Sequence, residues 1–247
     1  MSFACLFVYF RPNSMNRPMA RQAGSGAPSP IKSLVQIGIV TVVTIGLLLA
    51  FSRSAFFQNY PAYRQSAALV LWMYIPTMMI LLRRRPFALY GITLKGWKAS
   101  LLAAGSISLI TIPPYVLAFY LFETLVHGAS FQLTLPEALP AKILSLTLFI
   151  GLPEEYFFRG YLQTELDNVL GKPYGLFRIH FGFGLIIAAL LFGGVHTLLG
   201  AGWPGLLTTF SALLFGWLRE KTGSILAPTL YHGLGNLVYL TLVESIQ

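Results

Sequence analysis

Ile143-Leu-Ser-Leu-Thr-Leu-Phe-Ile-Gly151-Leu-Pro-Glu154-Glu155-Tyr-Phe-Phe-Arg159-Gly160 is an apolar run with three charged side chains set into its second half. The apolar part, Ile143 to Pro153, is too short to cross a bilayer alone, since crossing takes about 20 residues. If the segment crosses, Glu154, Glu155 and Arg159 lie at membrane depth; otherwise they form a solvated cluster at the end of the helix. One ionised side chain at the centre of a membrane helix costs about 2.5–3.5 kcal/mol on insertion scales, so three within six residues must pair or perform chemistry. The rest of the chain favours the membrane. It has 247 residues, of which 55% are hydrophobic and 10% charged, with a mean hydropathy of +0.69. A soluble domain carries about 25% charged residues. The composition is that of a polytopic integral membrane protein, and the expected fold class is an all-α bundle of membrane helices.

Apolar runs of near-spanning length occur at 34–51, 67–82, 100–122, 142–165, 181–200, 204–218 and 225–243, which makes about seven spans, with six to eight as the range. Pro76, Pro113, Pro114 and Pro228 interrupt several of them and predict kinks or breaks. The net charge of +9 reads as topology rather than as affinity for nucleic acid, because basic loops are retained on the cytoplasmic side. With the N-terminus inside, Arg11, Arg17, Arg21, Lys32, Arg83, Arg84, Arg85, Lys95, Lys98, Lys172, Arg178, Arg219 and Lys221 all fall on that side. Arg53 and Arg64 fall on the other, with Lys142 at a span boundary. An even number of spans would break this alternation. Residues 1–33 read as a flexible basic tail, with Met15 and Met19 as alternative starts, and residues 34–247 as one membrane-embedded domain. Cys5 is the single cysteine, so neither a disulfide framework nor a thiolate metal cluster is expected.

Three spans carry polar residues at helical spacing. Glu155 and Arg159 are four apart, on one face, with the glutamate N-terminal to the cation, the better order for an ion pair. Glu154 lies about 100° round the helix and faces elsewhere. In Phe192-Gly-Gly-Val-His196 a lone histidine interrupts an apolar helix, and Gly193 and Gly194 allow a helix or a substrate to come close. In Pro228-Thr-Leu-Tyr-His232-Gly-Leu-Gly-Asn236 the histidine and the amide share a face, and Pro228 is expected to free a backbone carbonyl. Each position taken alone fits an interhelical hydrogen bond. Three spans bearing the same burial penalty point instead to one shared cavity.

A carboxylate, two histidines and an amide suit activation of water against a carbonyl. Glu154 would be the general base and His196 would help to hold the water. His232 and Asn236 would donate to the oxyanion, a contribution of about 2.7–4 kcal/mol per donor. Glu155 and Arg159 would support the helix. Zinc held by Glu154, His196 and His232, with a fourth position for water, is the other reading. The chain contains no His-Glu-x-x-His, Gly-x-Ser-Gly with a partnered histidine, or Gly-x-Gly-Asp, and no P-loop. Those metallo, serine and aspartyl protease types and nucleotide-driven transport are therefore disfavoured.

Glu154-Glu155-Tyr-Phe-Phe-Arg159, Phe192-Gly-Gly-Val-His196 and His232-Gly-Leu-Gly-Asn236 together, and in this order, resemble the CPBP family of intramembrane proteases, which includes the type II CAAX prenyl endopeptidases and bacteriocin-processing or self-immunity proteins. The resemblance covers about the C-terminal two-fifths of the chain. It implies a membrane endopeptidase with Glu154 as the catalytic glutamate, His196 as its water-positioning partner, His232 and Asn236 as oxyanion stabilisers, and Glu155 and Arg159 in support. Both a metallo and a metal-independent glutamate mechanism go with such a family. Asn236 serves better as an amide donor than as a zinc ligand. The expected substrate is a peptide or membrane protein reached from the lipid bilayer. The compact single-domain form suggests a bacterial cytoplasmic membrane, where a leader peptide or bacteriocin precursor is more apt than a prenylated protein. A non-hydrolytic scaffold or a proton-coupled transporter built on the same Glu/His set is the reading from another class.

Overall fold

The computed structural model describes residues 9–10, 29–177 and 179–247. Most of the expected tail, and both alternative starts, lie outside them. The long helices are α1 (Pro30–Arg53), α3 (Pro61–Leu82), α4 (Trp97–His127), α8 (Phe183–His196), α9 (Thr208–Thr222) and α10 (Leu226–Glu244), with the short α2 (Ala55–Asn59) between the first two. Between α4 and α8 the chain stays helical over residues 139–170 but alternates in pitch. It runs through α5 (Leu139–Leu144), a π-helical stretch Ser145–Gly151, α6 (Leu152–Glu155), a second π-helical stretch Tyr156–Gln163 and α7 (Thr164–Leu170). A uniform α-helix was expected here. Widened turns of this kind cluster at functional sites, and these two flank Glu154 and Glu155.

Among the described residues four helices, α1, α3, α4 and the one starting at Phe183, are long and apolar enough to cross a membrane. The surface they present is inverted relative to a soluble bundle. α4 buries Ser100, Ala103, Ala104 and Ser108 and exposes Leu102, Leu109 and Leu125. Small residues at the helix contacts and large aliphatics outside are how helices pack in lipid, where exposing leucine costs nothing. Hydroxyls turned inward bond to their own helix, as Thr44 does to the Val40 carbonyl (2.7 Å) and Ser108 to that of Ala104 (2.7 Å). Within the bundle α10 lies against the π-helical stretch Ser145–Gly151. The close approach depends on Gly233, where a Cβ would overlap Thr147, and on Gly151, where one would press on the Thr229 carbonyl. Pro228 differs from its expected role. It stands in the first turn of α10, where the N–H it lacks has no helical partner in any case, so it starts the helix without breaking it.

One end of the bundle is basic and internally paired. Arg83, at the end of α3, bonds to Glu165 of α7 and to Gln36 of α1. The Tyr90 hydroxyl donates to Glu165 (2.5 Å), Gln163 to Glu220 at the end of α9 (2.9 Å), and Lys172 to Glu220 (2.5 Å). The start of α10 joins here through the Ile225 N–H and the Gly91 carbonyl (3.0 Å). At the opposite end Gln132 and Thr134, beyond α4, bond to Ser245 after α10. Successive long helices therefore run in alternating directions. Beyond Leu170 a small antiparallel sheet, β1 (Tyr9–Phe10), β2 (Tyr174–Leu176) and β3 (Ile179–Phe181), lies at the basic end, an addition to the all-α expectation.

Asp167 caps the start of α8 by accepting from the Gly184 N–H (3.0 Å). Burial pushes its carboxyl up to about 7, against the opposing pull of Lys172. The folded protein therefore holds this proton more tightly than the unfolded chain, whose aspartates titrate near 3.9. Stability from this group is fully present below about pH 4 and is lost as the pH rises through about 7. Asp167→Asn keeps an acceptor for Gly184 and cannot ionise, so its gain in melting temperature over the parent is expected to grow between about pH 5 and about pH 8. A gain independent of pH would remove Asp167 as the source.

Candidate active site

Glu155 and Arg159 are completely buried and paired as the i, i+4 spacing predicts, with Arg159 Nη1 donating to Glu155 Oε1 at 2.9 Å. Arg159 Nη2 donates to the Ala212 carbonyl of α9 at 3.1 Å. The guanidinium lies 4.6 Å from the ring centroid of Phe192 and 4.9 Å from that of Phe215. A buried cation needs such contacts, because a carboxylate in contact, a carbonyl and two aromatic faces replace the water it has lost.

The same Glu155 oxygen also accepts from His232 Nδ1 at 2.9 Å. Sequence spacing pairs Glu155 with Arg159 and offers no carboxylate partner for His232. The structure makes this carboxylate the junction between two helices 77 residues apart. His196 Nδ1 bonds to the Phe192 carbonyl at 2.9 Å. Carboxylate and carbonyl oxygens only accept, which assigns the hydrogen to Nδ1 in both rings. Each ring therefore turns Nε2 toward Glu154, and Glu154 Oε2 lies 3.8 Å from His232 Nε2 and 3.9 Å from His196 Nε2. These separations exceed a hydrogen bond. Glu154 Oε2 is buried with no hydrogen-bond partner among the described residues. The cluster opens on the side of His196, whose side chain is 31% exposed, against 17% for Glu154 and 6% for His232. Asn236 follows one turn after His232 on α10, half-buried. Of the two α8 glycines, Gly193 accommodates α9, since a Cβ there would overlap Thr209, while Gly194 faces open space.

The donor types suit zinc, and a histidine fixed by a second carboxylate is a common arrangement behind a zinc ligand. The spacing does not suit it. Zinc bonds of about 2.0–2.1 Å meeting at the tetrahedral angle bring ligand atoms to about 3.3 Å from one another, and Glu154 Oε2 stands about half an ångström farther from both histidines. Among the described residues no group of three His, Cys, Asp or Glu side chains is placed to hold a metal.

Sequence reading passed over the residues that hold this cluster from behind. Thr77 of α3 bonds to the Tyr156 hydroxyl and Thr111 of α4 to that of Tyr231, each at 2.7 Å. Trp72 packs on Phe157 and Phe158. Single threonines in apolar helices carry no motif. A signal did exist, because Tyr156 directly follows Glu155 and Tyr231 directly precedes His232, and a phenol in lipid needs a partner.

Residues 136–238 match the family model described as Type II CAAX prenyl endopeptidase Rce1-like. The match spans 103 of the 247 residues, and over that stretch the chain is similar to the CPBP family. The matched stretch contains Glu154, Glu155, Arg159, His196, His232 and Asn236, and it leaves α1, α3 and α4 outside. This likeness supports CAAX-type intramembrane protease activity in general, and the apolar helices support an integral membrane protein. No curated protein and no solved structure matches the chain.

Proposed function

We propose that this protein is an intramembrane endopeptidase in which Glu154 activates water. The observation that carries the proposal is the convergence of His196 Nε2 and His232 Nε2 on Glu154 Oε2, which has no hydrogen-bond partner among the described residues. Glu154 takes a proton from a water held beside His196 as that water attacks the peptide carbonyl. The oxyanion that forms accepts from His232 Nε2–H and from the Asn236 amide. Glu154 then passes the proton to the departing amine as the C–N bond breaks. Because Glu155 occupies Nδ1, His232 donates through Nε2 only as an imidazolium. Glu154, Glu155, Arg159 and that imidazolium sum to zero charge, and the sum is unchanged when the base takes a proton and the oxyanion appears. A neutral set suits a site at membrane depth.

The chain crosses the membrane seven times with its N-terminus in the cytoplasm. Support comes from the alternating helix directions and from Arg83, Lys172 and Arg219 gathering at one end of the bundle, the end that basic residues mark as cytoplasmic. The substrate is a membrane-associated protein or peptide, such as a leader peptide in a bacterial cytoplasmic membrane. Purified protein in lipid nanodiscs is expected to cleave members of a peptide library containing prenylated and unprenylated substrates, and to keep cleaving after exhaustive chelation. Activity lost on chelation and restored by zinc would replace the glutamate mechanism with the metal one. Folded protein that cleaves no member, with or without added zinc, would favour the scaffold or transporter.

A further inference from the structure

α9 contains none of the three motifs, yet it touches both groups that share Glu155 Oε1. Its Ala212 carbonyl accepts from Arg159. One turn later the Phe215 ring stacks on the His232 ring, with centroids 4.8 Å apart and planes 16° from parallel. Phe215 is 4% exposed and is itself held edge-on by Tyr231 at 5.6 Å and by Phe192 at 6.0 Å. The hydrogen bond to Glu155 fixes where His232 Nδ1 sits and leaves the tilt of the ring plane free. A flat face nearly parallel to the imidazole removes that freedom, and the tilt decides where Nε2 points.

We propose that Phe215 is a positioning residue for hydrolysis, holding the plane of the His232 ring so that Nε2 stays directed at Glu154 and the oxyanion. This rests on the hydrolytic reading above. Phe215→Leu and Phe215→Met keep apolar bulk without a flat face, and Phe215→Tyr keeps the face. In the first two kcat is expected to fall about 10–100-fold with KM changed less than about twofold, and in the third to recover to within about threefold of the parent. A second readout does not depend on activity. The chain has four histidines, so the ring signals of His232 are assignable by their loss in His232→Gln. They are expected to carry a ring-current shift that disappears in the Leu and Met variants and persists in Tyr.

Unchanged kcat and unchanged His232 signals in folded Leu or Met protein overturn the role. Equal loss in all three variants also overturns it, because bulk and not the ring face would then matter. A parent that cleaves nothing while His232 keeps its ring-current shift removes the hydrolytic reading, and the role with it. A parent that cleaves normally beside unaffected Leu and Met variants removes the Phe215 role alone.

Discussion

Glu154→Gln is expected to lower peptide cleavage by about 10²–10⁴-fold, the range lost with a general base, while leaving the melting temperature unchanged or slightly raised. Both halves follow from the site. Glu154 Oε2 makes no hydrogen bond among the described residues and faces two rings whose Nδ1 hydrogens are committed elsewhere. His196 carries its hydrogen on Nδ1, so its Nε2 and Glu154 Oε2 are two acceptors that face each other. A glutamine of the same shape brings an N–H that can donate to His196, which relieves the site as it removes the base. Exchange of function for stability is common where a site is electrostatically strained. The checks are single-turnover cleavage and thermal unfolding of the same preparation. A fully active Glu154→Gln protein would sink the assignment of the base.

Glu155→Gln is expected to lose both activity and stability. The carboxylate accepts from Arg159 and from His232 through one oxygen, in a place with no access to water. A neutral amide at this position leaves Arg159 as a buried cation without a counter-charge, a change that costs about 3–5 kcal/mol in buried pairs. It also replaces the charged acceptor that fixes His232 Nδ1 with a weaker neutral one, so cleavage should fall even at temperatures where the variant stays folded. Thermal unfolding with and without lipid measures the first effect, and kcat well below the melting range measures the second. Normal stability with lost activity would exchange the roles assigned to Glu154 and Glu155. The two neighbouring variants are thus separated by stability, although both are expected to be inactive.

The residues differ in how readily they could be read. The Glu155 to Arg159 pair was legible because four residues on a helix is a local distance set by backbone geometry, and it survives the π-helical widening around it. The apolar runs were legible because lipid demands continuous hydrophobicity. The seven expected runs coincide with helices, although residues 139–170 vary in pitch and, among the described residues, four helices meet the length and hydropathy of a candidate span. Pro228 was misjudged because a proline's effect depends on where its helix begins, and helix ends are poorly marked in a sequence that is apolar throughout.

By itself the sequence determined that this is a membrane protein, that three apolar segments carry polar side chains at helical spacing, and that Glu154 and Glu155 face different ways, since all three follow from composition and from the 3.6-residue period of a helix. Only the tertiary structure decided that Glu155 binds His232 as well as Arg159, that both Nε2 atoms turn to Glu154, and that Phe215 of a helix without a motif lies flat on His232. Those contacts join residues far apart in the chain. They depend on how closely helices approach, which small residues such as Gly233 and Gly193 permit and no local period encodes.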